Sequence, residues 1–126
     1  MKRDLKIRVG EVEAPACLND SDTAGKVFDI LPFSSSVSVW GDEVYFDVPV
    51  DAGLENGQDL VELGDVACWP QGKALCIFFG RTPIGEGDEI RPISPVTVVG
   101  RVTADGETLR WLLDGLKRGE TISLTA

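Results

Sequence analysis

An aromatic pair followed closely by an arginine and a threonine lies near the middle of the chain, in Phe78-Phe79-Gly80-Arg81-Thr82. A guanidinium group can hold a carbonyl or a carboxylate through paired hydrogen bonds, and aromatic side chains form the walls of apolar pockets. The segment therefore predicts a ligand-binding groove that contains Phe78, Phe79, Arg81 and Thr82. Because adjacent strand residues face opposite ways, one phenylalanine is expected in the core and the other in the groove, and the sequence leaves open which.

Arg81 and Arg91 flank a long loop, residues 82–95, that contains three prolines and two glycines. Loops of this length inside a domain are usually functional. Either arginine is therefore a candidate catalytic or ligand-binding donor. The alternative for each is a structural ion pair with an acidic residue of the same loop, which offers Glu86, Asp88 and Glu89.

A second set of candidate ligand-binding residues lies on a predicted β-hairpin over 36–48. The two-residue turn Gly41-Asp42 pairs Trp40 with Glu43 and places the aliphatic residues on one face, together with Phe46. That face is the expected core face and includes Val37, Val39 and Val44.

The other hairpin face carries Trp40, Glu43 and Tyr45 and is predicted to bind a ligand or a partner, unless a helix covers it. Trp69 is a further candidate ligand-binding residue. If the strands form a barrel, it is expected at the mouth of the end that carries Arg81, and the alternative is that it only packs in the core.

The chain contains no histidine and three cysteines, Cys17, Cys68 and Cys76. The absence of histidine excludes Ser-His and Cys-His nucleophiles and most zinc sites, and the cysteines lack Cys-x-x-Cys spacing. We therefore expect no metal and no cofactor. A two-residue loop at Gln71-Gly72 pairs Cys68 with Leu75, whereas a three-residue loop pairs it with Cys76; buried free thiols are expected in either case.

The net charge is −9, from 21 acidic and 12 basic residues. Because nucleic-acid affinity rests on basic side chains that neutralise phosphates, nucleic-acid binding is not expected. The sequence shows neither an apolar stretch of membrane-spanning length nor a signal peptide, which predicts a cytoplasmic protein without a membrane partner.

The predicted elements are a strand, a helix, a run of strands, a second helix and a final strand. Several candidate N-caps in Asn19-Asp20-Ser21-Asp22, and one at Asp105, are each followed by apolar residues at helical spacing. They predict α-helices at about 21–31 and 106–117. Alternation over 5–9 predicts the first strand, with a bulge or bend near Gly10 where the parity changes. The pattern indicates a mainly β fold in a single domain, 1–126, with an antiparallel sheet closed into a barrel and two covering helices.

Three stretches, 60–70, 74–83 and 87–96, have the sequences LVELGDVACWP, ALCIFFGRTP and GDEIRPISPV. They resemble the small prokaryotic cyclophilin-like domain family of unassigned function, and the resemblance covers most of the chain. It implies a closed eight-stranded, mostly antiparallel β-barrel with a helix at each end. True cyclophilins are peptidyl-prolyl isomerases whose apolar proline pocket contains an arginine that hydrogen-bonds the twisted amide. Residues 77–82 are similar to the strand that lines that pocket, whereas the Arg-x4-Phe-Met-x-Gln segment has no counterpart here.

These observations predict a cyclophilin-like binding domain that holds a small molecule or an extended peptide in a groove near residues 78–81 and the 82–95 loop. One alternative is a weak or atypical peptidyl-prolyl cis-trans isomerase with Arg81 or Arg91 as the hydrogen-bond donor. Another is an oligomerisation or protein-interaction domain that buries the Trp40 and Tyr45 face against a second copy.

Overall fold

Nine strands, two α-helices and one 3-10 turn are formed by residues 3–126, the part of the chain that the computed structural model describes. The helices are α1 (Asp22–Asp29) and α2 (Gly106–Lys117), and the 3-10 turn covers Pro70–Gly72. The strands are β1 (Arg3–Val9), β2 (Val12–Leu18), β3 (Phe33–Ser35), β4 (Ser38–Trp40), β5 (Glu43–Asp47), β6 (Asp65–Trp69), β7 (Ala74–Phe78), β8 (Thr97–Val102) and β9 (Ile122–Thr125).

The strands form one antiparallel sheet in the order β3-β9-β1-β2-β8-β6-β7-β5-β4, which is an open half-barrel. The mainly β, antiparallel class with two helices is confirmed, but the predicted closed eight-stranded barrel is wrong. Residues 33–40 run as one extended stretch whose first half pairs with β9 and whose second half pairs with β5. The two sheet edges are therefore joined by this stretch of chain, with no ladder between the described residues of β3 and β4.

Both helices begin at the expected capping residues. The Ser21 hydroxyl accepts a hydrogen bond from the Ala24 amide at 3.1 Å, and the Asp105 carboxylate accepts one from the Thr108 amide at 2.8 Å. These contacts satisfy amides that lack a partner within the helix. The second helix matches its predicted bounds, while the first ends at Asp29, two residues earlier than expected.

The predicted bend near Gly10 is a reversal of the chain. β1 and β2 are antiparallel partners, with Val9 opposite Val12 across the Gly10-Glu11 turn. The apolar residues change parity here because the second strand runs back along the first. The bulge offered as one explanation of that change is wrong.

The β4–β5 hairpin has the predicted register, with Trp40 opposite Glu43, Val39 opposite Val44 and Ser38 opposite Tyr45. Val39 is nevertheless 40% exposed, contrary to its expected place on the core face. It lies on the short edge strand β4, which has no neighbour on its other side to cover it.

Alternation along the central strands sends side chains to two separate apolar clusters. The inner core lies beneath both helices and receives Phe46 from β5, Cys68 from β6 and Ile77 from β7. The outer cluster lies on the opposite face of these strands and is formed by Val61, Ala67, Cys76, Phe78, Ile90 and Val96, with Tyr45, Trp69 and Val98 packed against it. The outer cluster positions the candidate site.

The turn between β4 and β5 is expected to tolerate only glycine at position 41. Gly41 has φ of +63°, and a Cβ there lies 2.8 Å from Pro83 Cδ and 2.9 Å from the Arg81 carbonyl oxygen. Gly41→Ala therefore combines a left-handed backbone with steric overlap, and we expect it to lower the free energy of unfolding by about 2–3 kcal/mol in urea titrations.

Gly87→Ala is the matched control, because Gly87 has φ of +58° and no described heavy atom lies within 4 Å of its Cβ position. We expect it to cost only about 1 kcal/mol. Equal losses in the two variants would contradict a role for close packing between this turn and the loop that follows β7.

Candidate functional site

Two loops cover the outer face of the sheet. The sequence had left undecided whether a helix covers this face. Val61 donates its amide to the Ile90 carbonyl at 3.0 Å, and Gln58 and Val96 exchange two backbone hydrogen bonds at 2.9 and 3.1 Å. These bonds join two loops, one before β6 and one before β8, into a single cover. Helices α1 and α2 contribute their apolar residues to the inner core instead.

A pocket of about 170 Å³ lies at one end of the outer cluster. Its walls come from strands β4 to β7 and from the loop that precedes β8. Glu43 and Tyr45 are two residues apart on β5 and so face the same side, and Tyr45 lies opposite Cys76 of β7. The lining residues are Trp40, Glu43, Tyr45, Trp69, Cys76, Pro92, Ile93 and Val96.

Trp69 is a fixed wall of this pocket. Its indole Nε1 donates a hydrogen bond to Ser94 Oγ at 2.6 Å, and that hydroxyl donates to Gln71 Oε1 at 3.2 Å. The network ties the end of β6 to the loop that carries Pro92 and Ile93. The aromatic face of Trp69 is thereby held in place while its polar atom is satisfied.

Glu43 supplies a buried carboxyl group to an otherwise mainly apolar pocket. The residue is only 6% exposed, and its Oε1 has no hydrogen-bond partner among residues 3–126. Burial raises the pKa of Glu43 to about 7, and the hydrogen bond with the Cys76 thiol acts in the opposite direction. Near neutral pH this carboxyl is therefore divided between its protonated and ionised forms.

Cys76 is a buried thiol beside that carboxyl. Burial is the main cause that raises its pKa, and the neighbouring Glu43 raises it further, so the thiol stays protonated at neutral pH. Cys68 is paired with Leu75, as the shorter-loop alternative required, and belongs to the inner core on the other face. The three cysteines all lie in the described range and are free thiols, as expected.

The structure brings together four of the ligand-binding residues predicted from sequence: Trp40, Glu43, Tyr45 and Trp69. The two phenylalanines lie nearby but do not line this pocket. Phe78 is buried in the outer cluster and Phe79 in the inner core, so they face opposite sides as expected and both serve packing.

The remaining candidates hold the loop in place or face solvent. The buried Thr82 hydroxyl donates to the Arg91 carbonyl at 2.6 Å and so closes the base of the loop. Arg91 pairs with Glu89 at 3.4 Å, the structural alternative considered for it. The Arg81 side chain is exposed, while its backbone carbonyl accepts from the Asp42 amide at 2.9 Å. Neither arginine lines the pocket.

Sequence reasoning missed four lining residues, Cys76, Pro92, Ile93 and Val96. Cys76 lies opposite Tyr45 because β5 pairs with β7, and these strands belong to different hairpins, so no turn in the sequence gives their register. The loop residues carried no signal either, because an irregular segment has no period from which to derive its fold.

Residues 3–126 contain no cluster of histidine, cysteine, aspartate and glutamate that could hold a metal ion. None of their helices is long and apolar enough to cross a membrane.

A half-barrel of antiparallel strands with two helices over its inner core and a pocket on its outer face is a cyclophilin-like architecture. The family model described as Cyclophilin-like matches residues 3–122, and the chain belongs to that family. The resemblance predicted from the sequence is thereby confirmed.

Several solved structures are similar to this chain, and the two named next each cover at least 96% of it. The hypothetical protein AF2241 from Archaeoglobus fulgidus is 37% identical with a TM-score of 0.71, over 98% of this chain and 94% of that one. McbB in complex with tryptophan is 14% identical with a TM-score of 0.73, over 96% of this chain and 44% of McbB, a level of identity at which only the fold is shared. No curated protein matches the sequence.

Ionisation of Glu43 is expected to destabilise the folded protein as pH rises. Its folded-state pKa of about 7 lies above the ordinary value of 4.5, so the folded state keeps a proton that the unfolded chain has lost. The stability that this proton contributes is present below about pH 4.5 and is lost as pH rises through about 7, a change on the order of 3 kcal/mol.

Glu43→Gln lacks this titration and is the reference for measuring it. Other carboxyls titrate in both proteins and cancel in the difference, including Asp65, whose pKa is also raised by burial. Urea unfolding of both proteins at about pH 5 and about pH 8 is expected to show wild type losing stability relative to Glu43→Gln. A difference that is the same at both pH values would contradict the buried, unpaired carboxyl.

Proposed function

We propose that this chain is a small-molecule-binding domain and that its site is the outer-face pocket walled by Trp40, Tyr45 and Trp69, with Glu43 as the polar anchor. The observation that carries the proposal is the Glu43 carboxyl, which is buried in the pocket wall with Oε1 unpartnered among the described residues.

A buried carboxyl whose Oε1 lacks a partner is costly to the folded protein. Buried polar groups in native proteins are nearly always hydrogen-bonded, and an unsatisfied one costs about 1–3 kcal/mol. An apolar residue at position 43 would extend the outer cluster without that cost. A group that is expensive to the free protein and faces a cavity is typical of a binding site whose ligand supplies the missing partner.

The dimensions of the pocket favour a small molecule over an extended peptide. Its volume of about 170 Å³ is below the roughly 300–1,000 Å³ of drug-sized sites, so it suits a fragment-sized ligand. McbB, which has a similar fold over 44% of its chain, was solved in complex with a small molecule, tryptophan. We therefore place the site at the outer-face pocket of Glu43 and Tyr45 and not in a groove at residues 78–81.

The alternatives have less support from the geometry. Prolyl isomerisation as implied by the family resemblance needs an arginine at an apolar pocket, and Arg81 and Arg91 both lie outside this one. Isomerase activity, oligomerisation through the Trp40 and Tyr45 face and a cytoplasmic location stay predictions.

Tryptophan fluorescence offers a direct test of binding. The chain has three tryptophans, and Trp111 is exposed on α2, so in a Trp111→Phe background the remaining two, Trp40 and Trp69, both line the pocket. A panel of small neutral, cationic and anionic aromatic fragments is titrated into this variant. We expect at least one class to change the fluorescence saturably.

Two isoleucines of the same loop provide a matched pair for that titration. Ile93 lines the pocket and is 59% exposed, whereas Ile84 is 42% exposed and does not line it. Ile93→Ala is expected to weaken binding by about 3–10-fold, while Ile84→Ala leaves it unchanged. Binding that is equally affected by both, or a panel without a saturable response, would contradict the proposed site.

A further inference from the structure

We propose that the ligand of this pocket is a small primary or secondary amine, bound as its ammonium ion with an N–H group donated to Glu43. This inference rests on the proposed function and names the chemical class of its ligand. The juxtaposition that carries it is the buried Glu43 carboxyl, whose Oε1 has no partner among the described residues, in the wall of a pocket that is also lined by Trp40, Tyr45 and Trp69.

The free oxygen of Glu43 sets the first requirement, which is a hydrogen-bond donor. The indole N–H of Trp69 is committed to Ser94, and so this wall of the pocket does not supply one. An ammonium N–H to a carboxylate is among the stronger hydrogen bonds in proteins, since both groups are charged. A quaternary ammonium has no N–H and would leave Oε1 unsatisfied.

The aromatic walls set the second requirement. Indole and phenol rings attract a cation through the negative charge of their faces, and a desolvated contact of this kind contributes about 2 kcal/mol. Trp40, Tyr45 and Trp69 present three such side chains beside one carboxylate. Pro92, Ile93 and Val96 provide an apolar surface for the carbon part of the ligand.

The charge of the protein excludes the opposite class of ligand. The lining residues include neither lysine nor arginine in the described part of the chain, so a carboxylate or phosphate would lack a counter-charge beside Glu43. The net charge of −9 also attracts cations to the surface and repels anions. A neutral ligand could satisfy Glu43 only through an uncharged donor such as a hydroxyl or an amide. Its binding would not be strengthened by attraction to the carboxylate or to the net negative charge of the protein.

Three probes of similar shape separate these possibilities: 2-phenylethylamine, 2-phenylethanol and 3-phenylpropionate. Each is titrated by fluorescence into Trp111→Phe at about pH 8, where most of the Glu43 carboxyl is ionised. We expect the amine to bind at least about tenfold more tightly than the alcohol, and the carboxylate to bind more weakly still.

Glu43→Gln and Glu13→Gln are the matched variants. Both remove one negative charge, but Glu13 is exposed on β2 and does not line the pocket. We expect Glu43→Gln to abolish the preference of the protein for the amine over the alcohol and Glu13→Gln to retain it. A preference that survives in Glu43→Gln would overturn the inference.

The same titrations distinguish failure of this inference from failure of the proposed function. If the alcohol binds as tightly as the amine and Ile93→Ala weakens both, the pocket binds small molecules but the amine assignment is wrong. If none of the three probes binds, the amine assignment is also wrong, and the wider fragment panel then decides whether the pocket is a binding site.

Discussion

The alternation of side chains along β5, β6 and β7 is the constraint on which the rest of the structure depends. Each of these strands sends one set of residues to the inner core beneath the helices and the other set to the outer cluster. Because β6 and β7 carry apolar residues on both faces, both faces of the sheet must be covered there. The inner face is covered by α1 and α2, and the outer face by two loops that hydrogen-bond to each other.

A loop that covers a sheet leaves more of the sheet face uncovered than a helix does. Helices pack onto a sheet with regular ridges, whereas a loop contacts the sheet only where particular side chains reach it. Here the cover is anchored by Val61, Ile90 and Val96, and Trp69 is joined to Ser94. Between these anchors and the edge strand β4 the outer face stays uncovered, and the pocket occupies that place.

Glu43 is the residue whose chemistry departs from the packing of this face. Its neighbours on the outer side of the sheet are apolar or aromatic apart from the Cys76 thiol, and its Oε1 has no partner among the described residues. A free-energy cost maintained at the wall of a cavity is more readily explained by ligand recognition than by folding. The proposed amine would convert that cost into binding energy.

Much of the fold was predictable because its signals are local. The bounds of α2 followed from Asp105 and the leucine spacing, and the register of Trp40 against Glu43 followed from a two-residue turn. Barrel closure was not predictable, since it depends on how residues 33–40 divide their pairing between β9 and β5. The pocket was predictable only in part: residues on β4 and β5 were found from alternation, whereas Pro92 and Ile93 lie on a loop whose position depends on tertiary hydrogen bonds.

The most direct test of the central claim is the unfolding free energy of Glu43→Met against wild type, measured without ligand at about pH 8. Methionine has a similar volume and no polar group that needs a partner, so it removes the cost of the buried carboxyl while filling the same space. If Glu43 serves a ligand, we expect Glu43→Met to be more stable than wild type by roughly 1–3 kcal/mol. A variant less stable than wild type would show that the carboxyl supports the fold, and would contradict the account.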